Sequence, residues 1–347
     1  MDLIKKLDAL GDVGAGPNGI SRVAGTTADD DAKMLVSSWI KDAGMRVTWD
    51  DDDNIVGYLK GDDMSLPPIV VGSHIDTVVD GGKYDGALGI VAGIEAAKAL
   101  TGKLRHPLQI VAFHDEERTM DGSKAFAAKN DPYAFLELHV EQGPDLERFS
   151  KDIGVVTGIV GQRRVKFTVF GEPNHGGTTP MDLRDDALYK ASKAVTWIFE
   201  RALEHPTITA TVGHLEVSPN KFSIVPGRVD FTVQIRDVNS AEMDLFLQSI
   251  IDEFGFAYET TESQEPVVCA QNIMDIIHDE ATAAGLGAMF MPSRAGHDAQ
   301  VFTCPMGMIF VPSRGGISHS QYEYTSPDQC YNGLRVLIET IRRIDNE

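Results

Sequence analysis

Four apolar segments of this chain each lead, directly or through a short loop, to histidine or acidic residues, and this recurrence restricts the fold more than any other feature of the sequence. The segments cover residues 69–71, 107–113, 134–138 and 307–311. The residues that follow them include His74, the pair Glu116 and Glu117, His139, and His319. Short apolar runs are typical of buried strands, and open α/β sheets place their sites at the carboxyl ends of strands. The sequence therefore predicts an α/β fold with one site at the carboxyl edge of its sheet.

The stretch of residues 71–89 is the most informative of the four. His74 and Asp76 are two residues apart on an extended segment, so their side chains point to the same face. A glycine-rich loop can fold Asp85 back towards them, and residues 86–100 have the apolar spacing of a helix. Imidazole and carboxylate groups at one point suit zinc or a neighbouring first-row metal. A surface loop would explain this stretch equally well by itself, and the other three strand ends favour the metal.

The number of candidate ligands favours two divalent ions over one. One ion takes about four ligands, whereas more are available here: His74, Asp85, Glu117, His139 and His319. Because a carboxylate can bridge two ions, we expect Asp85 to lie between them. His74 and His139 would then hold one ion, and Glu117 and His319 the other. Paired ions ~3.5–4 Å apart activate the water between them and polarise the carbonyl that it attacks.

Two further acids fit supporting roles at this site. Glu116 is adjacent to a predicted ligand but directs its side chain elsewhere, so we expect it to act as general base and later as general acid. Asp76 is expected to accept the free N–H of His74 and so to fix the tautomer of that imidazole.

Residues 160–267 have a different pattern from the rest of the chain. Strands are predicted at residues 165–170, 207–217, 223–236 and 256–261, and helices at 185–203 and 241–254. This β-α-β-β-α-β order matches a ferredoxin-like unit. We therefore expect a discontinuous catalytic domain of residues 1–159 and 268–347, interrupted by an inserted α+β domain of residues 160–267.

Charge and composition argue against several kinds of partner. The 347 residues carry a formal net charge of −21, so nucleic acid and anionic membrane surfaces would repel the protein. No run approaches the ~20 apolar residues of a membrane span. The three cysteines are isolated in the sequence, which favours reduced thiols and a cytoplasmic location.

Several motifs resemble those of one enzyme family. The chain resembles the di-metal aminoacylase and carboxypeptidase superfamily in Gly72-Ser-His-Ile-Asp-Thr-Val78, Gly81-Gly-Lys-Tyr-Asp-Gly86, Asp115-Glu-Glu117 and Leu138-His-Val-Glu-Gln-Gly-Pro144. Its similarity narrows to the hydantoin-utilisation branch in Gly171-Glu-Pro-Asn-His-Gly-Gly-Thr-Thr-Pro-Met181, Ala295-Gly-His-Asp-Ala-Gln300 and Gly316-Ile-Ser-His319. That branch contains N-carbamoyl-L-amino-acid amidohydrolases, β-ureidopropionase and allantoate amidohydrolase.

The resemblance implies a fold, cofactors and partners. The fold would be a zinc-peptidase-like mixed-sheet catalytic domain with an inserted ferredoxin-like dimerisation (lid) domain. Each subunit would bind two divalent ions, Zn²⁺ or Mn²⁺, with Co²⁺ or Ni²⁺ as further options. The inserted domain would form a homodimer and lend residues to the partner's site. The substrate would be a small ureido carboxylate.

The resemblance also implies roles for individual residues. His175 would stabilise the oxyanion of the tetrahedral intermediate. Arg236 would pair with the substrate carboxylate, since arginine offers two parallel N–H groups. Further substrate contacts are implied at Gln142, Arg164, Asn220 and the backbone of Gly296.

Three departures from the family pattern affect the expected substrate more than the expected reaction. Ser223 stands where these enzymes usually carry a substrate-binding asparagine. Arg118-Thr-Met120 replaces the usual glycine and Arg-Phe after Glu117. The connection from Glu117 to His139 is also shorter than in the relatives, so the pocket wall there must be built differently.

Three functions are compatible with these residues. The first is an amidohydrolase that cleaves a carbamoyl (ureido) C–N bond, with allantoate as the first choice of substrate and N-carbamoyl-L-amino acids next. The second is an N-acyl-amino-acid deacylase or dipeptidase with the same metals, which the hydantoin-branch motifs disfavour. The third is a non-catalytic binding relative, which loss of Glu116 or of a ligand would favour; all of these residues are present.

Overall fold

In the computed structural model, which describes residues 2–347, nine α-helices and fifteen strands follow one another along the chain. The helices are α1 (Leu3–Asp12), α2 (Thr27–Asp42), α3 (Ala87–Leu100), α4 (Asp121–Lys129), α5 (Asp145–Arg148), α6 (Ala187–Glu204), α7 (Ser240–Phe254), α8 (Gln271–Ala283) and α9 (Pro327–Asp345). The strands are β1 (Ala15–Gly16), β2 (Gly19–Ile20), β3 (Arg46–Trp49), β4 (Ile55–Leu59), β5 (Ile69–His74), β6 (Leu108–Phe113), β7 (Ala134–Val140), β8 (Ile153–Ile159), β9 (Gly161–Phe170), β10 (Thr209–Ser218), β11 (Arg228–Asp237), β12 (Ala257–Gln264), β13 (Val267–Val268), β14 (Ala288–Ser293) and β15 (Met306–Val311). Among residues 2–347, no helix combines the length and the apolar character that a bilayer crossing requires.

The predicted α/β sheet is present and is mixed. Its strand order is β13-β8-β15-β7-β5-β6-β4-β3, with β14 paired to β8, which makes nine strands. The four neighbouring strands β15, β7, β5 and β6 run parallel, whereas β8, β4 and β3 pair antiparallel. These four parallel strands are the ones predicted from the apolar segments. Their carboxyl ends therefore meet at one edge of the sheet, as expected.

Burial on both faces explains why these strands read as continuous apolar runs. All six residues of β5 and all six of β15 are buried, and α3 is buried over most of its circumference. A Cβ on Gly89 of α3 would stand 2.4 Å from the carbonyl oxygen of Leu138, so this helix packs directly on the backbone of β7. Parallel sheets covered on both faces carry such uninterrupted apolar sequences.

The chain divides into two compact units, one formed by the chain up to Thr157 with Cys269–Glu347 and the other by Gly158–Val268. The second unit contains a separate antiparallel sheet of order β10-β11-β9-β12, with α6 and α7 packed against it. Alternate residues of β9 and β11 are buried, and the rings of Phe167 and Phe231 stack with centroids 5.3 Å apart. The predicted β-α-β-β-α-β order is confirmed. The third strand begins at Arg228 rather than at residue 223, because Pro226 has no N–H to contribute to a ladder.

Candidate metal centre

The carboxyl ends of the parallel strands lead to a small cavity of about 170 Å³. All five predicted metal ligands line it, together with Glu116. Its remaining lining residues are Met120, Gln142, Ala295 and Gly296. Side chains that are far apart in the sequence therefore converge on one point.

His74, Asp85 and His139 form the first of two donor clusters in this cavity, and all three are buried. Asp85 Oδ1 lies 3.2 Å from His139 Nε2 and 3.7 Å from His74 Nε2. Because a carbonyl only accepts, each imidazole donates its Nδ1–H to the main chain: His74 to Asp76 at 3.0 Å, and His139 to Val140 at 2.8 Å. Because each Nδ1 is bonded to the main chain, the Nε2 atoms are the ring nitrogens that face Asp85, and they are the ones that would bind a metal once they carry no proton.

Asp85, Glu117 and His319 form the second donor cluster. His319 Nε2 lies 3.1 Å from Asp85 Oδ2 and 3.5 Å from Glu117 Oε2. Its side chain is 49% exposed, so this cluster is the more open of the two. Asp85 therefore belongs to both clusters and turns one carboxylate oxygen to each.

The turn from Asp85 into α3 depends on Gly86. Its φ is +60°, and a Cβ at this position would stand 2.4 Å from Nε2 of His74. A residue with a Cβ would be strained in this conformation and would also collide with the imidazole. Only glycine lets the chain pass beside His74 at this distance.

The charges around Asp85 show what kind of ligand the cavity suits. The lining residues include three acids and neither lysine nor arginine. Burial opposes ionisation of Asp85, but His139, His319 and His74 bring its pKa well below the usual value. The hydrogen bond with Asp85 raises the pKa of His319 to about 8. Protons on imidazoles thus supply the positive charge that the acids require, and divalent cations would supply it through the same donor atoms.

Glu116 stands beside both clusters without belonging to either. Its side chain is almost fully buried, and Oε2 lies 3.7 Å from His74 Nε2. Burial raises the pKa of Glu116 well above its usual value; His74 opposes this shift and Asp298 adds to it. A carboxylate whose pKa is raised is a stronger base than an ordinary glutamate, which suits a group that accepts and returns a proton.

Asp76 connects the ends of two strands. Its main-chain oxygen accepts the Nδ1–H of His74, while its carboxylate Oδ1 lies 3.6 Å from that nitrogen. The carboxylate instead accepts the main-chain N–H groups of Glu116 and Glu117, each at 3.3 Å. Asp76 thus orients His74 mainly through its carbonyl and fixes the following loop through its side chain.

Glu323 supports the metal centre and was not identified from the sequence. Its Oε1 accepts the main-chain N–H groups of Tyr84 at 2.7 Å and Asp85 at 3.1 Å. Its Oε2 accepts the hydroxyl of Ser318 at 3.0 Å, and that hydroxyl also lies 3.3 Å from Asp85 Oδ2. The buried carboxylate therefore holds both the backbone and the surroundings of Asp85. Its only sequence signal is that it follows His319 by four residues.

Arg22 is a second supporting residue without a sequence signal. It is fully buried, and burial lowers its pKa to about 10. Its Nε donates to the carbonyl of Ile75 at 2.6 Å, and its backbone N–H donates to Thr77 Oγ1 at 2.9 Å. Arg22 therefore fastens the segment that follows His74 to the amino-terminal part of the chain.

Glu137 and His297 lie behind His139 and form a third group of donor atoms with it. Glu137 already accepts hydrogen bonds from Ser73 Oγ at 2.9 Å and from the N–H of Ala299 at 3.0 Å. The ring of His297 packs edge-on against His139 with centroids 4.5 Å apart, and burial lowers its pKa well below the usual value. This layer therefore supports His139 rather than offering free ligands.

Gln142 is the one predicted substrate contact whose side chain reaches the two clusters. Its Nε2 donates to Asp85 Oδ2 at 2.8 Å and lies 3.2 Å from Ser318 Oγ. Gly296, predicted to contribute its backbone, lines the same cavity.

The other predicted substrate contacts belong to the unit Gly158–Val268. Arg164 on β9 and Arg236 on β11 lie on the same face of the sheet, where Arg164 pairs with Glu262. Burial and the nearby Arg164 lower the pKa of Arg236. Two arginines so close together favour an anion such as a carboxylate.

The loop that carries His175 fixes the tautomer of that imidazole. Its Nδ1 accepts the main-chain N–H groups of Gly177 at 3.0 Å and Thr178 at 3.2 Å, so the ring proton is on Nε2. Ser223 lies on the neighbouring strand-like segment, since its carbonyl accepts the N–H of Gly176 at 2.7 Å. Asn220 is exposed and has a left-handed backbone with φ +53°.

Comparison with known proteins agrees with this geometry. Residues 70–343 match the model of peptidase family M20/M25/M40. The chain is 33% identical over 396 aligned residues to an N-carbamoyl-L-amino acid amidohydrolase of Geobacillus stearothermophilus, an alignment that covers 98% of this chain and 97% of the relative. It is 33% identical to an allantoate amidohydrolase of Bacillus subtilis, with 94% of this chain and 93% of the relative covered.

A similar relation holds among solved structures. A hydantoinase/carbamoylase family amidase from Burkholderia multivorans superimposes with a TM-score of 0.88 at 31% identity, over 99% of this chain and 97% of that one. The alignment to the Geobacillus relative is longer than the 347 residues of this chain, so that relative has residues with no counterpart here.

Proposed function

This chain belongs to peptidase family M20/M25/M40, in its hydantoinase/carbamoylase branch, and we propose that it cleaves the carbamoyl C–N bond of a small ureido carboxylate. The candidate substrates are allantoate and N-carbamoyl-L-amino acids. Addition of one water to the ureido carbonyl would release the amine, ammonia and carbon dioxide. The observation that carries this proposal is the pair of donor clusters that share Asp85, with the buried Glu116 beside them.

The donor set supports two divalent ions, Zn²⁺ or Mn²⁺, with Co²⁺ or Ni²⁺ as alternatives. His74 and His139 would hold one ion, Glu117 and His319 the other, and Asp85 would contribute one oxygen to each. Bound there, the ions supply Lewis acidity to the substrate carbonyl and make a water more acidic. Mixed nitrogen and oxygen ligands of this kind suit these metals.

Glu116 is proposed to handle the proton of the attacking water. Its carboxylate would accept that proton and then return it to the departing nitrogen, so that the leaving group departs as a neutral amine. The raised pKa of the buried Glu116 supports this role, because a stronger base takes the proton more readily. Asp76 would keep Glu116 in place through the N–H that it accepts.

Polar groups are proposed to bind the substrate, in the roles that the family resemblance implies. Arg236, with Arg164 nearby, would bind the carboxylate, and His175 would donate its Nε2–H to the developing oxyanion. Gln142, Asn220, Ser223 and the backbone of Gly296 would complete the contacts. As the family resemblance implies, we further propose that residues 160–267 form a homodimer.

The deciding experiment is ammonia release by metal-stripped protein reloaded with Mn²⁺ or Zn²⁺. The panel comprises allantoate, ureidoglycolate, and several N-carbamoyl-L-amino acids and N-carbamoyl-β-amino acids. It also includes an N-acetyl amino acid, for which the release of the free amine is measured. Metal-dependent ammonia from a ureido substrate is expected. If no ureido compound released ammonia while the acetyl compound released its amine, the protein would instead be assigned as a deacylase.

A further inference from the structure

Met120 is the only long apolar side chain among the residues that line the metal cavity. It follows Glu117 by three residues and immediately precedes α4. Its neighbours in the wall, apart from the proposed ligands and Glu116, are Ala295, Gly296 and Gln142. Met120 therefore adds a large apolar group to a cavity whose other long side chains are polar.

The backbone of Met120 adopts a conformation that residues with a Cβ rarely accept. Its φ is +55° and its ψ is +29°, a left-handed conformation that glycine would adopt without strain. The N–H of Met120 donates to the carbonyl of Asp115 at 2.7 Å, and its own carbonyl accepts the N–H of Lys124 at 3.0 Å. The carboxylate of Asp115 also accepts a hydrogen bond from the hydroxyl of Thr119, with an O–O distance of 2.6 Å. The loop is thus tightly held, and the presence of methionine at this position needs a reason other than backbone geometry.

The side chain of Met120 contacts Gln300 and fills the space that Gly296 leaves open. The amide Nε2 of Gln300 lies 2.9 Å from its Sδ atom. On the other side, a Cβ on Gly296 would stand 2.9 Å from the terminal methyl Cε, so the methyl group occupies space that any larger residue at 296 would need. Methionine is an adaptable side chain, and here its terminal methyl group fits beside Gly296 because that residue has no Cβ.

The size and chemistry of this wall restrict what can lie against it. The cavity of about 170 Å³ is smaller than the roughly 300–1,000 Å³ typical of drug-sized ligand sites. The side chains of Met120 and Ala295 offer no amide or hydroxyl group, so a polar substituent placed against these two side chains would lose its water without gaining a good partner. A bulky substituent would have to displace the methyl group of Met120.

We propose that Met120 is a specificity-determining residue, which selects ureido carboxylates whose substituent beside the scissile group is small and apolar. This inference rests on the proposed function and narrows its substrate class. Among the candidate substrates, N-carbamoyl-L-alanine satisfies the restriction. The substituent of N-carbamoyl-L-phenylalanine is too large, and that of N-carbamoyl-L-asparagine is polar. Allantoate carries a second ureido group, which is both larger and polar.

The test compares wild type, Met120→Gly and the size-matched control Met120→Leu in their Mn²⁺-loaded forms. We expect wild type to prefer the alanine compound over the other three by at least about tenfold in kcat/KM, since pocket contacts of this kind discriminate by roughly 10–200-fold. In the Met120→Gly variant, the preference for the alanine compound over the phenylalanine compound should be smaller by about tenfold or more. The Met120→Leu variant should keep the wild-type ranking of substrates. Thermal unfolding should show Met120→Gly at least as stable as Met120→Leu, because glycine relieves the left-handed strain.

The possible failures are distinguishable. A wild-type enzyme that is active on ureido compounds but prefers allantoate, asparagine or phenylalanine would overturn this inference alone. So would a Met120→Gly variant with an unchanged ranking, or one that loses stability and all activities in parallel, since that would mark Met120 as a structural residue. Silence of wild type on every ureido compound would overturn the proposed function, and this inference with it.

Discussion

The buried carboxylate of Glu323 accepts the main-chain N–H of Asp85 at 3.1 Å, although the two residues are 238 positions apart in the sequence. This hydrogen bond joins the loop that follows β5 to the segment that follows β15. Because Asp85 turns one oxygen to each donor cluster, whatever holds its backbone also sets the geometry of both clusters.

Replacement of Glu323 by alanine is therefore expected to weaken metal binding. Residues that orient a metal ligand typically contribute about 10–100-fold in metal affinity, and we expect a loss of that size, with a smaller loss for Glu323→Gln. Equilibrium dialysis against Zn²⁺ would measure it. Glu339→Ala, at a partly exposed position on α9, is the control; equal affinities in both variants would contradict the role assigned to Glu323.

Replacement of Glu116 by glutamine should separate catalysis from metal binding. The amide keeps the shape of the side chain but cannot accept the proton of the attacking water, so kcat should fall by roughly 10²–10⁴-fold. Metal content, measured by elemental analysis, should stay near that of wild type, because Glu116 belongs to neither donor cluster. Substantial residual activity would show that another group serves as the base.

Replacement of Arg236 by lysine should affect substrate binding more than turnover. Lysine has a point charge instead of a planar fork, so we expect KM for ureido carboxylates to rise about tenfold, equivalent to ~1.4 kcal/mol, with a smaller change in kcat. Arg228→Lys is the matched control, since Arg228 lies on the same strand and pairs with Asp230. If KM were unchanged in Arg236→Lys, Arg236 would not contact the substrate.

Two glycines allow the steric role of Gly86 to be isolated. Gly86 and Gly102 flank α3 and have φ of +60° and +68°, but only at Gly86 would a Cβ meet another group within 4 Å. Alanine at either position should lose roughly 1–3 kcal/mol of stability, because its Cβ is strained in a backbone with positive φ. Gly86→Ala should lose about 1–3 kcal/mol more from overpacking and should also bind less metal, because His74 must move. Denaturant unfolding with metal analysis tests this, and equal losses in the two variants would refute it.

The sequence predicted those parts of the site that depend on local patterns. The apolar runs before His74, Glu117, His139 and His319 predicted four strands. Uninterrupted apolar runs are typical of parallel strands buried on both faces, and these four strands are parallel. The return of Asp85 towards His74 followed from the glycine-rich loop between them. These features are local, since each depends on residues within a few positions of one another.

The parts that the sequence did not predict depend on contacts between distant segments. Arg22 is hydrogen-bonded to Ile75, and Glu323 to Asp85, and no short sequence motif predicts either hydrogen bond. The sequence placed the carboxylate of Asp76 against His74, whereas the structure uses the main-chain oxygen of Asp76 for that bond. The left-handed backbone of Met120 was likewise invisible, because methionine is not a residue that normally signals such a turn.

The concentration of buried acids around Asp85 also affects how long the protein stays folded. In the unfolded chain these carboxyl groups are fully hydrated, whereas in the folded state they lie close together with imidazoles as their main positive neighbours. Cations that bind only the folded state stabilise it by an amount that grows with the logarithm of their concentration, about 2.7 kcal/mol at one hundred times Kd. If divalent cations occupy the two donor clusters as proposed, metal supply would therefore set the stability of the folded protein as well as its rate of turnover.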